Sequence, residues 1–202
     1  MKEANKNTNA KFGRRLTAFL IDIIIITVIT SIISFFIPTS EKYDTLLKEY
    51  TSIMDKVAQN SENITQLSTQ LNNVAYSISK ETYLVRLIEV FITALYFIVF
   101  QFKNGQTLGK KIMGIKIIKE GGDISYNDLI LRSLIVNSLF SSIISLSLLY
   151  VVNKNLYMSI SQIAIYVNFI FIIVSIGYML FRRDKRSLHD IITNTKVVEI
   201  NE

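Results

Sequence analysis

Four apolar runs of about twenty residues, parted by polar and mostly basic segments, decide what this chain can fold into. A helix needs about 20 apolar residues, at 1.5 Å of rise each, to cross the hydrocarbon core of a bilayer. Residues 16–37, 83–102, 129–152 and 159–181 meet that length. A backbone in lipid must satisfy its own hydrogen bonds, so each run is expected to be helical. Average composition hides this. The hydrophobic share is 50%, close to that of a soluble protein, and only its distribution along the chain separates the two classes.

The first run opens on Arg14-Arg15 and carries one ionisable side chain, Asp22. A carboxylate in hydrocarbon costs at least about 2.5–3.5 kcal/mol on insertion scales, so such groups face protein or water and have a partner or a task. Asp22 is expected roughly 9 Å inside the membrane edge. Arg15 shares nearly the same helix face, roughly 10 Å back along the axis. Arg132 enters on the third run at comparable depth. Either arginine is a candidate partner. Two readings follow: Asp22 binds and releases a cation or proton as helices rearrange, or a fixed Asp–Arg pair holds helices together. Arg86 and Glu89, three apart near the start of the second run, are expected to form an ion pair at the outer edge, or on a sharper reading an outer gate.

The polar segments carry their own patterns. In residues 39–82, Tyr43, Leu46, Tyr50, Ile53 and Val57 recur at helical spacing, as do Ile64, Leu67, Leu71, Val74 and Ile78. With Asn60-Ser61-Glu62-Asn63 between them, they predict an antiparallel helical hairpin, its stripes packed together or against a partner. Gly105 to Met113 reads as a short interfacial helix with Lys110 and Lys111 turned to headgroups. Ser125 and Asp128 resemble a capping box. Residues 115–118 and 195–200 read as two strands that pair outside the membrane. Asn137, Ser138, Ser141, Ser142 and Ser145 give the third run a small polar seam, expected to serve close helix packing.

Several chemistries are excluded. There is no Cys, hence no disulfide or thiolate metal site, and one His, His189, makes no multi-histidine centre. No metal and no cofactor is expected. Ser187, His189 and Asp190 are too close in the chain for a hydrolase relay, and the spans hold no nucleophile–base pair, so an enzyme is not expected. Asp190 is expected to cap the tail or to pair with Arg182, Arg183 or Arg186. The run 16–37 is too long for a signal-peptide core, and no small-x-small cleavage site follows it.

Charge placement orients the spans. Five Lys and Arg precede the first run, five lie in 103–128 and four open the segment after the fourth run, against one in 153–158. Segment 39–82 has four Lys but six acids. The net charge of +6 therefore sits beside the spans, which argues for a membrane surface and not for nucleic acid. The expected fold is an all-α membrane protein of one domain, residues 1–202. It has four transmembrane helices, both termini cytoplasmic, an extracellular helical hairpin at 39–82 and a small cytoplasmic β-patch.

These residues resemble the RDD family of bacterial membrane proteins, named for one Arg and two Asp. The opening Arg and the Asp of the first span look like Arg15 (or Arg14) and Asp22. Gly105-Gln106-Thr107-Leu108-Gly109-Lys110-Lys111 and Gly114-Ile115-Lys116-Ile117 are similar to the segment after the second span. Arg186-Ser187-Leu188-His189-Asp190, followed by Thr195-Lys196-Val197-Val198, looks like the closing motif, with Asp190 as second Asp. The resemblance covers most of the chain apart from the hairpin and implies a multi-pass protein of the bacterial cytoplasmic membrane. Transport of unknown ligands, including cation/proton exchange, has been proposed for this family.

Two function classes result. One is a membrane transport protein using an intramembrane carboxylate, with Arg15, Asp22, Arg132, Asp190, Glu89 and Arg86 as transport or ion-pair candidates. Four helices enclose little room, so a homo-oligomer is its expected form. The other is a non-transporting membrane protein that binds, protects or regulates a partner through the hairpin at 39–82. The lipid bilayer is a partner in both.

Overall fold

Apolar length builds the frame. The structure, a computed structural model, describes residues 8–38, 40–59 and 64–200. The first run forms helix α1 (Phe12–Phe35). The second forms α4 (Tyr83–Ala94), which continues as a π-helical stretch, Leu95–Phe100. The last forms α8 (Lys154–Phe181). These three are long and apolar enough to cross a membrane. Their large apolar side chains, such as Leu20, Ile24, Phe91 and Phe169, point outward, while Ala18, Asp22, Ser161, Ala164, Asn168 and Ser175 are buried. Small and polar residues inside with bulky apolar residues outside is the arrangement of helices packed in lipid.

The third run departs from expectation. It is not one straight helix over 129–152 but two, α6 (Tyr126–Val136) and α7 (Leu139–Leu148), bent by 80°. The cause is local. Ser138 takes a left-handed backbone (φ 56°), which interrupts the helical ladder, and Asn168 of α8 holds the Ser138 hydroxyl at 2.8 Å. If the bent pair is one pass, the chain has four spans. The small polar seam packs as helix interface: the Ser145 hydroxyl bonds the Ser161 hydroxyl at 3.1 Å.

At one end of the bundle, α2 (Glu41–Ala58) and α3 (Ile64–Glu81) form the hairpin. Ile53, Leu67 and Val74 make its core, with Leu46, Tyr50, Val57, Leu71 and Ile78 packed around them. Both apolar stripes thus bury each other. Residues 60–63, the expected separator, lie outside the described residues. Tyr76 packs on Tyr157, and Lys154 donates to Asn73 at 2.6 Å, which seats the hairpin on α8.

At the other end lie α5 (Leu108–Ile112), α9 (Leu188–Ile192) and the strands β1 (Ile115–Lys119) and β2 (Thr195–Glu199). The strands pair antiparallel, Ile115 opposite Glu199 and Lys119 opposite Thr195. Thr8 to Ala10 runs along the free side of β2: Ala10 N–H donates to Val197 at 2.9 Å. Ala10, Ala18, Ile115, Ile117, Leu129 and Val197 form one core under this sheet. A two-stranded sheet is marginal alone, and this one rests on the bundle. Ser125 and Asp128 form a full capping box at the start of α6.

Candidate functional site

Asp22 and Asp190 are both fully buried, and they are held in different ways. Asp22, just short of midway along α1, accepts three hydrogen bonds. Tyr96 donates its hydroxyl to Oδ1 at 2.6 Å, Thr107 its hydroxyl to Oδ2 at 2.6 Å, and Gly109 its N–H to Oδ1 at 2.7 Å. Each donor is placed by backbone. Tyr96 belongs to the π-helical stretch, whose wider turn brings Tyr96 and Phe97 inward. Thr107 is the N-cap of α5. Gly109 lets α5 touch α1: a Cβ there would lie 2.1 Å from the Ala18 carbonyl oxygen and 2.7 Å from Asp22 Oδ1. All three donors are neutral.

Asp190 instead sits between two guanidiniums. Arg15 donates to Oδ2 at 2.7 Å, and Arg132 donates to Oδ1 and to the Thr195 hydroxyl. The Ser187 N–H donates to Oδ2 at 3.1 Å, so the same carboxylate caps α9. Arg15 also reaches the Ala10 and Val197 carbonyls. The cluster thus joins α1, α6, α9 and β2. Burial alone would push the Asp190 carboxyl up, but Arg132 and Arg15 hold it well below the usual carboxylate range.

The expected partners of Asp22 are therefore corrected. Arg15 and Arg132 both go to Asp190, because their helices bring them to the sheet end, where α9 folds back against α6. Asp190 does cap the tail. However, Arg182 pairs with Asp184, and Arg186 pairs with Glu120, reaching only the Asp190 backbone carbonyl. Arg86 and Glu89 stand apart on exposed faces of α4. No ion pair joins them among the described residues, and in an exposed setting such a pair gains little.

Lys110 is another correction. It turns inward and not to headgroups, and its ammonium donates to Gln101 at 2.8 Å. Burial pushes Lys110 down to about 8, against the pull of Asp22. His189 bridges two hydroxyls, Ser175 at Nδ1 (2.7 Å) and Ser187 at Nε2 (2.8 Å). Burial and the nearby Arg132 push it down to about 3, so it is neutral at physiological pH. Among the described residues no three His, Asp or Glu side chains form a metal-holding group.

A family model described as the RDD family matches residues 9–194. The chain belongs to the RDD family. Curated proteins and solved structures give no match. Membership and the apolar helices make this a multi-pass membrane protein. In this RDD protein, Arg15 turns inward, whereas Arg14 turns outward to Glu199 at 3.3 Å. Tyr96, Thr107 and Gly109 around Asp22, Thr195 beside Arg132, and Gln101 on Lys110 were not among the candidates. Thr107 and Gly109 lie within the Gly105–Lys111 motif, and that motif was the available signal.

Proposed function

We propose that this protein is a membrane transport protein that exchanges cations for protons, with Asp22 as the exchanging carboxylate. The observation that supports this most directly is the donor set of Asp22. It is fully buried in a spanning helix and meets only neutral donors. An intramembrane carboxylate with no cation in direct contact is a group that a proton or cation can neutralise. The Tyr96 and Thr107 hydroxyls surround it with oxygen, which suits a hard cation once they turn their lone pairs inward. Asp190, already between two arginines, is the structural partner. Access to Asp22 requires α5 to part from α1, and Gly109 is the contact that would open.

Basic residues flank the sheet end, and the acidic hairpin caps the other. The positive-inside rule then puts both termini and the sheet in the cytoplasm, and the hairpin outside. The membrane in this reading is the bacterial cytoplasmic membrane, and a homo-oligomer supplies the pathway that four spans cannot enclose.

The test is proton flux in proteoliposomes driven by Na⁺, K⁺ or Li⁺ gradients, wild type against Asp22→Asn. Cation-dependent flux that disappears in a folded Asp22→Asn variant is expected. Absence of flux from folded, inserted wild-type protein, or undiminished flux in the variant, overturns the proposal.

A further inference from the structure

Between the faces of α1 and α8 lies a cavity of about 210 Å³. Its walls are mainly apolar, with Phe19, Phe97, Ile172 and Ile176 among them. Arg15, Lys110 and Arg132 also line it. The two arginines are engaged by Asp190. Lys110 is not paired with any carboxylate among the described residues; its ammonium has only the Gln101 and Thr107 oxygens, at 2.8 and 3.4 Å. Three cations thus face two buried acids, Asp22 and Asp190, which leaves one positive charge in excess. Asn137, at the break between α6 and α7, lines the same cavity, and its Oδ1 is buried with no hydrogen-bond partner. A cation and an acceptor left in this condition both lower stability until a ligand meets them.

We propose that this cavity binds the head of a single-chain anionic amphiphile, with its acid group on Lys110 and its alkyl chain along the apolar walls of α1 and α8. Charge complementarity selects the head, and the apolar lining selects the chain. A cavity of 150 Å³ takes a benzene ring, so this one holds on the order of eight non-hydrogen atoms. That is an acid group and the first carbons of a chain. The rest leaves past Leu16, which lines the cavity and is also 41% exposed on the lipid side of α1. Asn137 Oδ1, facing this space, accepts from a water held by the head. Lys110 adjoins the Asp22 network through Thr107, and the binding measured below does not depend on exchange.

The experiment is equilibrium binding of radiolabelled dodecanoate to the full-length protein in phosphatidylcholine nanodiscs, with empty nanodiscs as background. Saturable binding to one site is expected. Lys110→Met, which keeps the stem and removes the charge, should weaken it by about tenfold or more, equivalent to about 1.4 kcal/mol. Ile176→Trp, which narrows the cavity without touching a charge, should weaken it comparably. Dodecyl phosphate should compete. Dodecanol and acetate, each lacking one half of the ligand, should not, and nor should two-chain phosphatidic acid. No saturable binding, or equal binding by either variant, overturns the proposal. Competition by dodecanol would reduce the site to an apolar slot, and competition by phosphatidic acid would make it a bilayer-lipid site. Either result also overturns it.

Discussion

Asp22 accepts hydrogen bonds from two hydroxyls and one amide, whereas Asp190 lies between two guanidiniums, although both carboxylates are fully buried and both are anchored to α1, one directly and one through Arg15. The difference is one of charge, not of burial. Around Asp190, two cations meet one anion, and the cluster ties α1, α6, α9 and β2 together. Around Asp22, only dipoles are in direct contact, and Lys110 lies beyond Thr107, whose hydroxyl is 3.4 Å from the ammonium. A pair of unlike charges in low dielectric is hard to break from one side, because the survivor is left buried and unpaired. A carboxylate held by dipoles can take up a proton or a cation without stranding a directly paired charge. The first arrangement is suited to holding a fold and the second to exchange.

Removing each acid separates these roles. Asp190→Ala strands Arg15 and Arg132 and should cost about 3–5 kcal/mol, the largest loss in the molecule, read as a fall in thermal unfolding temperature in detergent. Asp22→Asn keeps the shape but presents an amide group where an acceptor stood, and should cost about 1–3 kcal/mol. Equal losses would erase the distinction. Gly109→Ala strikes the contact that Asp22 shares with α5. Its Cβ would meet the Ala18 carbonyl, and the strain should cost about 1–3 kcal/mol and lower exchange by closing α5 out of register.

Acid sharpens the comparison from the sheet end. His189 is pushed down to about 3 by burial, so the unfolded chain binds a proton that the folded chain does not. Its contribution to stability is fully present above pH 6.5 and declines as pH falls from there toward 3. Arg132, Arg15 and Lys110 oppose its charging, and Asp190 favours it. His189→Gln should flatten that part of the profile and leave cation-driven flux unchanged. Smallest of all, Arg86→Gln and Glu89→Gln should each change stability by less than about 0.5 kcal/mol, because both side chains are exposed and unpaired with each other. A large effect on flux from Glu89→Gln would add an outer site to the pathway.

Much of the frame was legible in the sequence, and the sites less so. Apolar length marked α1, α4 with its π-helical stretch, and α8, because a span is a statement about consecutive residues. Helical spacing marked α2 and α3, and alternation with flanking turns marked the strand pair. The break at Ser138 was hidden because the apolar run continues across it; a left-handed serine leaves no trace in hydropathy. The partners of Asp22 were hidden because they lie 74, 85 and 87 positions away, on segments whose own patterns describe only themselves. Arg15 looked like a partner for Asp22 because both ride on one helix. The fold brought Asp190 from 175 positions away to take it. Lys110 read as a headgroup contact because exposure is the default for lysine, and only the packing of Gly109 against α1 turns it inward.

Infrared difference spectroscopy of the reconstituted protein tests the contrast between the two acids most directly. With the coupling cation absent and the medium acidified, wild-type protein should show a protonated-carboxyl band that addition of the cation removes, and Asp22→Asn should lack that band while keeping its folded amide spectrum. A band that persists in Asp22→Asn, or wild-type protein with no cation-sensitive carboxyl band at all, would contradict the assignment of exchange to Asp22.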